Sequence, residues 1–393
     1  AANGIKAYVF ESLRPTPELS FAVRKLNCIA GINITASHNP PEYNGYKVYW
    51  EDGAQITPPH DTGIMAEVEA VTDYATVKTM SLEAAKEAGL YEVIGEAVDD
   101  AYMEELKKQV IHQDAIDQMN KDLKIVYSPL HGTGNIPVRR ILKELGFENV
   151  YVVKEQELPD GNFPTVSYPN PEAKEAFELG LKLAKDVDAD LVLATDPDAD
   201  RLGVYVKDTK SGEYKVLTGN MSGCLLADYE ISQTKAVKGL PKDGCLIKSI
   251  VTSNMAKAIA ESYGVKLIDV LTGFKFIGQQ ILEFENTGIG TYLFGFEESY
   301  GCLIGTYARD KDAIVATMAL CEAAAYYKTL GKTLWDAMID MYEKYGYYKD
   351  DIQSITLKGI EGLEKIQNIL ETLRKEPPAE IGGYGVQRAR RSE

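Results

Sequence analysis

The sequence predicts an α/β protein of several domains, and three observations lead to that prediction. The chain has 393 residues, which is more than one ordinary hydrophobic core accommodates, so two to four domains are expected. Apolar residues make up 45% of the chain and charged residues 26%, a composition typical of soluble globular proteins. Short apolar runs alternate with helical stretches almost throughout, a pattern typical of α/β domains.

Charge and cysteine content restrict the classes of function. A formal net charge of −17 argues against nucleic acid or an anionic membrane as the main partner. The five scattered cysteines suit a reducing compartment, and the first residues show no signal-peptide pattern. The longest apolar run, from Ile314 to Tyr327, is too short to span a membrane and predicts a buried helix. We therefore expect a cytoplasmic protein.

The first unit of the pattern places a serine, Ser37, on a turn between two strands. The sequence Ser-His-Asn-Pro favours a tight exposed turn, whose backbone N–H groups could face a phosphate. The elements predicted here are a helix from Glu18 to Leu26, strands near Ile32–Ile34 and at Lys47–Trp50, a helix from Asp61 to Val71, surface connections from Tyr74 to Asp100, and a helix from Asp100 to Gln109.

The second unit ends its last predicted strand at three closely spaced aspartates. Open α/β sheets bind their ligands at the carboxyl ends of the strands, so this loop is a candidate binding site. The predicted elements are strands at Leu123–Tyr127, Val150–Val153 and Leu191–Ala194, with helices at Ile136–Leu145 and Pro171–Lys185.

A third unit repeats this alternation, and the tail of the chain then changes character. The tail reads as a strand, an amphipathic helix and a second strand-like segment, which predicts the start of a fourth domain. The predicted elements are strands at Cys245–Lys248, Lys266–Val270 and Thr291–Phe294, helices at Asn254–Tyr263 and Phe274–Phe284, and, in the tail, a strand at Asp351–Leu357, a helix at Leu363–Arg374 and a strand-like segment from Val386.

The aspartates Asp196, Asp198 and Asp200 alternate along the chain, so in an extended loop their carboxylates could converge on one ion. Three hard oxygen donors suit Mg²⁺ much better than Zn²⁺. A calcium EF-hand is excluded because Arg201 stands where glycine is needed. A solvated acidic turn and an aspartyl-phosphate phosphatase stay open as alternatives, although the Ala-Asp-Arg continuation weakens the second.

Two further residues, His38 and Lys47, lie in the serine turn or just after it. His38 suggests a Ser–His pair, but neighbouring side chains usually point apart, so a structural or phosphate-contacting role is favoured over that of a general base. Lys47 could be an ordinary exposed strand lysine. If Lys47 instead faces Ser37, we expect burial and neighbouring cations to lower its pKa into the range that acid–base catalysis uses.

Polar residues of the third unit could bind sugar hydroxyls and an anion, or could be incidental polar residues of a turn. Glu297 and Ser299 lie on one side of an extended Gly295–Gly301 loop, where a carboxylate and a hydroxyl could grip vicinal sugar hydroxyls. Lys275 stands at a predicted helix N-terminus, which favours anions. The Arg309–Asp312 stretch reads as a solvated run of mixed charges.

Three of these motifs, in this order, resemble the phosphoserine, metal and sugar loops of the α-D-phosphohexomutases. The motifs are TASHNP at 35–40, DPDADR at 196–201 and GFEESYG at 295–301. SPLHGTG at 128–134 and RDKDA at 309–313 are similar to the phosphoglucomutase branch, which includes phosphopentomutase-like enzymes. The resemblance covers nearly the whole chain, and it implies three successive α/β sandwich domains of phosphohexomutase type plus the incomplete start of a fourth, α+β, domain.

The resemblance also implies roles for individual residues. Ser37 would carry a phosphoryl group and, with the three aspartates, hold Mg²⁺, while hexose 1,6-bisphosphate would be the activator and intermediate. Small sugar phosphates, with neither nucleic acid nor membrane, would be the partners; the oligomeric state is left undetermined. The implied site consists of catalytic residues Ser37, His38, Lys47 and Arg201, metal ligands Ser37, Asp196, Asp198 and Asp200, and substrate-binding residues Thr272, Gly273, Lys275, Glu297, Ser299 and Lys311.

The resemblance implies domain boundaries and leaves functional alternatives open. The expected domains are a phosphoserine domain at 1–118, a metal-binding domain at 119–235, a sugar-binding domain at 236–345 and the start of a phosphate-binding domain at 346–393. We expect the chain to be truncated at both ends relative to the family, which would leave the activity of this piece in doubt. A phosphopentomutase, a phosphatase and a non-catalytic sugar-phosphate-binding fragment are the alternatives to a hexose mutase.

Overall fold

The computed structural model describes residues 1–350, 357 and 359–386. The chain divides into two compact units, Ala1–Tyr348 and Lys349–Glu393. The larger unit contains three regions of α/β structure, each built around its own strands.

The first region is built on two pairs of strands. Pro17 lies in the first turn of the helix α1, where its fixed φ suits a helix start. The strands β1 and β4 pair in parallel, and β2 and β3 pair antiparallel with Asn33 opposite Lys47. The elements are β1 (Ala7–Phe10), α1 (Thr16–Lys25), β2 (Ala30–Ile34), β3 (Tyr46–Trp50), α2 (His60–Ala70), α3 (Leu82–Glu87), β4 (Tyr91–Ile94), α4 (Glu96–Lys107) and α5 (Gln113–Met119).

The prediction of surface connections from Tyr74 to Asp100 is wrong. This stretch contains α3 and β4, and α4 begins before it ends. The strand β4 is only four residues long and half exposed, so its sequence lacks the apolar alternation that marks a strand. Its partner β1 lies more than 80 positions earlier in the chain, a pairing that local sequence does not reveal.

The second region is a five-stranded mixed sheet in the order β6-β5-β7-β8-β9. Its central strand β7 is buried over all five residues, as its continuous apolar sequence requires. The antiparallel register pairs Thr195 with Leu202, so residues 196–201 form the tight connection between β7 and β8. The elements are β5 (Lys124–Ser128), α6 (Asn135–Glu144), β6 (Asn149–Val152), α7 (Glu178–Val187), β7 (Leu191–Thr195), β8 (Leu202–Lys207) and β9 (Tyr214–Leu217).

The third region is a four-stranded sheet in the order β11-β10-β12-β13. The carboxylate of Asp312 caps α11 by accepting the N–H groups of Ile314 and Val315, and α11 is the buried helix predicted from Ile314 to Tyr327. The elements are α8 (Gly219–Val237), β10 (Gly244–Ser249), α9 (Met255–Tyr263), β11 (Lys266–Val270), α10 (Phe274–Thr287), β12 (Thr291–Glu297), β13 (Gly301–Ile304), α11 (Ala313–Thr329) and α12 (Leu334–Tyr345).

The smaller unit contains the helix α13 (Gly359–Lys375) and the short antiparallel strands β14 (Glu380–Ile381) and β15 (Tyr384–Gly385). The helix confirms the prediction at Leu363–Arg374. The strand predicted at Asp351–Leu357 and the strand-like segment from Val386 lie almost entirely outside the described residues. Among the helices that the structure describes, none has the length and apolar character needed to cross a membrane.

Candidate active site

Ser37 lies on a turn just beyond the carboxyl end of β2. Its backbone has a φ of +53°. Residues other than glycine rarely adopt this conformation, and those that do are frequently found at functional sites. The Ser37 N–H donates to Thr35 Oγ1 at 2.8 Å, which fixes the turn. The hydroxyl, Oγ, donates to Asp196 Oδ2 at 3.2 Å, so the structure brings the serine turn and the aspartate loop together.

The side chains of Ser37 and His38 meet, although adjacent side chains were expected to point apart. Ser37 Oγ and His38 Nδ1 are 3.2 Å apart. Burial and the neighbouring Arg201 lower the pKa of His38 to about 4, against the opposing effect of the nearby carboxylates. The imidazole is therefore neutral at pH 7, so it can exchange a proton with the serine oxygen.

The three aspartates of the 196–201 loop form one buried cluster. Ligand oxygens of Asp196, Asp198 and Asp200 lie within 4.8 Å of one another, and each residue is at most 4% exposed. Ala199 has a φ of +53°, which turns the loop tightly between the second and third aspartates. The alternation noted in the sequence therefore gives the predicted convergence.

Asp198 and Asp200 each use one carboxylate oxygen for hydrogen bonds to the protein and leave the other without one, whereas both oxygens of Asp196 accept hydrogen bonds. Asp196 Oδ1 accepts the backbone N–H groups of Asp200 and Arg201, at 3.0 and 2.9 Å. Asp198 Oδ2 and Asp200 Oδ2 both accept from Lys47 Nζ, at 2.9 and 3.2 Å. Asp198 Oδ1 and Asp200 Oδ1 are buried without a hydrogen-bond partner. Buried oxygens that lack a donor fit a metal ion, so the donor set can hold a hard divalent cation.

The charges of the cluster act strongly on one another. Burial, together with Asp198 and Asp200, raises the pKa of Asp196. Burial alone would also raise the pKa of Asp200, but Lys311, Lys47 and Arg201 hold it well below its ordinary value. Three carboxylates in a buried site carry a like-charge repulsion that a bound cation would relieve.

The expected lowering of the Lys47 pKa is wrong. Burial lowers this pKa, but Asp200 and Asp198 outweigh burial and raise it above its ordinary value. The sequence could not show this, because the two carboxylates belong to a loop some 150 positions further along the chain. Lys47 is therefore held as a cation beside the aspartates.

Arg201 points its guanidinium along the edge of the cluster. Its Nη1 donates to Glu172 Oε1 at 2.9 Å, and its Nε lies 3.9 Å from Asp200 Oδ1. That Nε is buried without a hydrogen-bond partner. A buried guanidinium N–H with no acceptor is suited to an anionic oxygen.

Lys311 links the aspartate cluster to the sugar loop. Its Nζ lies 3.2 Å from Asp200 Oδ2. Burial raises the pKa of Glu297, and the charge of Lys311 opposes that rise. Glu297, at the end of β12, is 5% exposed and accepts the Gly273 N–H at 2.8 Å. Gly273 has a φ of +117°, which needs a glycine. The structure thus joins Lys311, Glu297 and Gly273 to the cluster.

The remaining predicted residues make fewer contacts. The exposed Thr272 precedes Gly273 in the loop after β11. Lys275, in the first turn of α10, lies 3.8 Å from Asp61 Oδ2. The half-buried Ser299 side chain makes no hydrogen bond to any residue in the described part of the chain.

Several residues around the cluster were missed by reasoning from the sequence. Thr16 and Asn33 lie close to Asp198, Glu172 binds Arg201, and Tyr49 donates to Asp310 at 2.7 Å. Asp310 in turn contacts Lys311 at 3.3 Å. The Arg309–Asp312 stretch is buried, so the prediction of a solvated run of charges is wrong. Only Thr16 carried a local signal, a threonine before a proline at a helix start.

A serine hydroxyl beside three buried carboxylates and several buried cations is the kind of site that phosphoryl transfer uses. Sequence profiles of known proteins agree with this class. Residues 1–75, 100–212 and 218–345 match the alpha/beta/alpha domains I, II and III of phosphoglucomutase/phosphomannomutase, respectively. The chain therefore belongs to the phosphoglucomutase/phosphomannomutase family.

Individual relatives support the same assignment. The chain is 38% identical to a phosphoglucomutase from Staphylococcus epidermidis, over 98% of this chain and 68% of that protein. It is 39% identical to a phosphoglucomutase from Staphylococcus aureus, over 98% of this chain and 67% of that protein. These relatives support a phosphohexomutase enzyme and do not favour a phosphopentomutase.

Solved structures show the same fold. The crystal structure of a proposed phosphomannomutase from Thermus thermophilus matches with a TM-score of 0.71 and 25% identity, covering 91% of this chain and 74% of that one. The open form of parafusin, a phosphoglucomutase from Paramecium, matches with a TM-score of 0.66 and 21% identity, covering 87% and 62%. The prediction of successive α/β domains of phosphohexomutase type is confirmed.

Proposed function

We propose that the chain interconverts hexose 1-phosphate and hexose 6-phosphate through a phosphoserine at Ser37 and a hexose 1,6-bisphosphate intermediate. The observation that carries this proposal is the 3.2 Å contact between Ser37 Oγ and Asp196 Oδ2. The contact supports the proposal because it joins the Ser37 hydroxyl to one of three clustered carboxylates that can hold a cation.

Mg²⁺ is the cation that this donor set fits. Asp196, Asp198 and Asp200 would hold it, with an oxygen of phosphorylated Ser37. When bound, such an ion neutralises charge on the transferred phosphoryl group and orients it. The oxygens that support its binding are Asp198 Oδ1 and Asp200 Oδ1, which are buried and lack any donor from the protein.

The protein's own groups account for the transfer. A hydroxyl oxygen of the sugar attacks the phosphorus, the bond between phosphorus and Ser37 Oγ breaks, and the hydroxyl proton is balanced by protonation of Oγ. In the return step Oγ attacks the other phosphate of the bisphosphate and loses that proton. In each step His38, neutral at the start and with Nδ1 3.2 Å from Oγ, would accept the proton of the attacking hydroxyl and then, as the imidazolium, pass it to the leaving oxygen. Arg201 and Lys47 supply positive charge beside the moving phosphoryl group.

Of the acid–base role considered for Lys47, the part of the base is therefore replaced by an electrostatic role. Asp198 and Asp200 keep the ammonium group charged, and a charged lysine cannot accept a proton.

The sugar must bind in two orientations, because one site transfers both phosphates. We assign sugar binding to the third region of the fold, where Lys311 and Glu297 lie next to the aspartate cluster. The Gly273 N–H orients the Glu297 carboxylate, and Ser299 has a hydroxyl that no described residue engages. The proposed substrate-binding residues are Thr272, Gly273, Lys275, Glu297, Ser299 and Lys311.

The division of the chain into domains at residues 118, 235 and 345 stays a prediction, as does the cytoplasmic location. Four of the five cysteines are buried, in keeping with their expected role as small hydrophobic residues. Small sugar phosphates are the proposed partners.

Phosphorus NMR tests the proposal. The chain is incubated with glucose 1-phosphate, Mg²⁺ and a trace of glucose 1,6-bisphosphate. We expect glucose 6-phosphate to appear with the wild-type chain and with Ser167→Ala, a change at an exposed serine. Ser37→Ala is expected to abolish the conversion.

Three outcomes of that experiment would contradict the proposal. Release of inorganic phosphate in place of glucose 6-phosphate would indicate a phosphatase. Faster conversion of ribose 1-phosphate than of glucose 1-phosphate would indicate a phosphopentomutase. Unchanged conversion by Ser37→Ala would show that Ser37 is not the nucleophile.

A further inference from the structure

We propose that Thr16 is a positioning residue for the cation site. Its hydroxyl, oriented by Asn33, holds the Asp198 carboxylate so that Oδ1 faces the cation. This inference rests on the proposed function and assigns to the metal centre two residues outside the loop that carries the aspartates. Both residues belong to the first region of the fold, whereas Asp198 belongs to the second.

The contacts divide the two oxygens of Asp198 between different tasks. Thr16 Oγ1 donates to Asp198 Oδ2 at 2.9 Å, and Lys47 Nζ donates to the same oxygen, also at 2.9 Å. Asp198 Oδ1 receives no hydrogen bond and is buried. The carboxylate is thereby fixed in rotation, with Oδ2 bound to the protein and Oδ1 buried without a partner and available to a cation.

The direction of the hydrogen bond from Thr16 is set by Asn33. Asn33 Nδ2 donates to Thr16 Oγ1 at 2.6 Å. An amide nitrogen can only donate, so the threonine oxygen accepts from Asn33 and must direct its single proton elsewhere. The acceptor of that proton is Asp198 Oδ2. Thr16 is fully buried, which makes each of these hydrogen bonds costly to lose.

The fold holds this relay in place at both ends. The Thr16 backbone N–H donates to the Asp198 carbonyl at 2.9 Å, so the start of α1 is bound to the aspartate loop twice. Asn33 lies opposite Lys47 in the β2–β3 pair, so both side chains project from one face of that pair. The face therefore reaches Asp198 by two routes, directly through Lys47 and indirectly through Asn33 and Thr16. Residues that orient a metal ligand typically change metal affinity roughly 10- to 100-fold.

Titration of the chain with Mn²⁺, followed by electron paramagnetic resonance, measures this effect without relying on activity. Thr16→Val keeps the shape of the side chain and removes the hydroxyl, and we expect it to weaken Mn²⁺ binding roughly 10- to 100-fold. Thr16→Ser keeps the hydroxyl, and we expect it to bind like the wild type. Thr317→Val is the matched control, because that buried threonine donates to the Ala313 carbonyl.

Asn33→Ala provides a second variant in case Thr16→Val does not fold. It frees the threonine hydroxyl to rotate, and we expect weaker Mn²⁺ binding than in the wild type. Wild-type affinity in both Thr16→Val and Asn33→Ala would overturn the inference and leave the proposed function standing. A wild-type chain that binds no Mn²⁺ would overturn the proposed cation site, and this inference with it. Loss of affinity in Thr16→Ser as large as in Thr16→Val would also overturn it, because the hydroxyl would then not be the cause.

Discussion

Ser37 Oγ donates a hydrogen bond of 3.2 Å to Asp196 Oδ2, although 159 positions of sequence separate the two residues. The contact joins a turn that follows β2 to the loop between β7 and β8. Each of these loops follows the carboxyl end of a strand, which is where open α/β sheets commonly bind their ligands. The proposed chemistry depends on this contact more than on any other.

Replacement of one aspartate of the cluster is expected to weaken the binding of Mg²⁺. Asp198→Asn keeps the size of the side chain but removes a charge from the cluster. Mutation of a residue that only orients a metal ligand typically changes metal affinity roughly 10- to 100-fold. We expect the concentration of Mg²⁺ needed for phosphoryl transfer to rise by more than this, and turnover to fall sharply. A titration of the transfer rate with Mg²⁺ measures the effect.

Asp208→Asn is the matched control for that change. Asp208 is also well buried, but its carboxylate accepts from Ser211 Oγ in a turn. We expect its Mg²⁺ titration to match that of the wild type. An identical titration for Asp198→Asn would contradict the assignment of the cluster as the cation site.

Whether turnover depends on the position of the Lys311 side chain can be tested without replacing Lys311 itself. A Cβ atom added at Gly301 would lie 2.0 Å from Lys311 Cδ, so Gly301→Ala is expected to displace the lysine side chain from its position beside Asp200. We expect turnover to fall on the order of 100-fold, as misplaced catalytic groups typically cause. Gly161→Ala, where nothing lies within 4 Å of the added atom, is expected to keep wild-type turnover. Equal turnover in the two variants would show that the position of Lys311 does not matter.

The buried Glu18 is expected to make stability depend on pH. Glu18 in α1 is 2% exposed, and burial, followed by the contact with Asp99, raises its pKa to about 9. Between its ordinary pKa near 4.5 and this value, the folded chain holds a proton that the unfolded chain has lost. Stability therefore falls as pH rises through this range, by at most about 1.4 kcal/mol per pH unit.

Glu18→Gln, a neutral replacement of the same shape, removes this titration. We expect the variant to melt at a higher temperature than the wild type at pH 8 and to depend less on pH. Thermal unfolding followed by circular dichroism from pH 5 to pH 9, roughly the range between the two pKa values, measures both effects. Glu87→Gln, a change at an exposed glutamate, is the control. If Glu18→Gln and the wild type melted in parallel across this range, Glu18 would be ionised in the folded chain.

Much of the fold could be predicted because its central strands and helices have strong local patterns. The apolar sequence of β7 and the long apolar run of α11 are two examples, and both elements are where the sequence placed them. The strands β1 and β4 were not predicted. Each has four residues and an exposed side, and their pairing depends on packing between distant segments.

The candidate site was predictable to the extent that its motifs are local. The alternation of Asp196, Asp198 and Asp200 indicated convergence, and the structure shows it. The pKa of Lys47 could not be predicted, because its sign depends on charges that only the fold brings near. The roles of Thr16 and Asn33 depend on a register and a hydrogen-bond direction that the sequence does not encode locally.

Mapping of phosphate on the chain tests the central claim most directly. The wild-type chain and Ser37→Ala are each incubated with glucose 1,6-bisphosphate and Mg²⁺, digested, and analysed by tandem mass spectrometry. The account predicts one phosphoryl group on Ser37 in the wild type and none anywhere in Ser37→Ala. A phosphoryl group on another residue of the wild type, or equal labelling of Ser37→Ala, would contradict it.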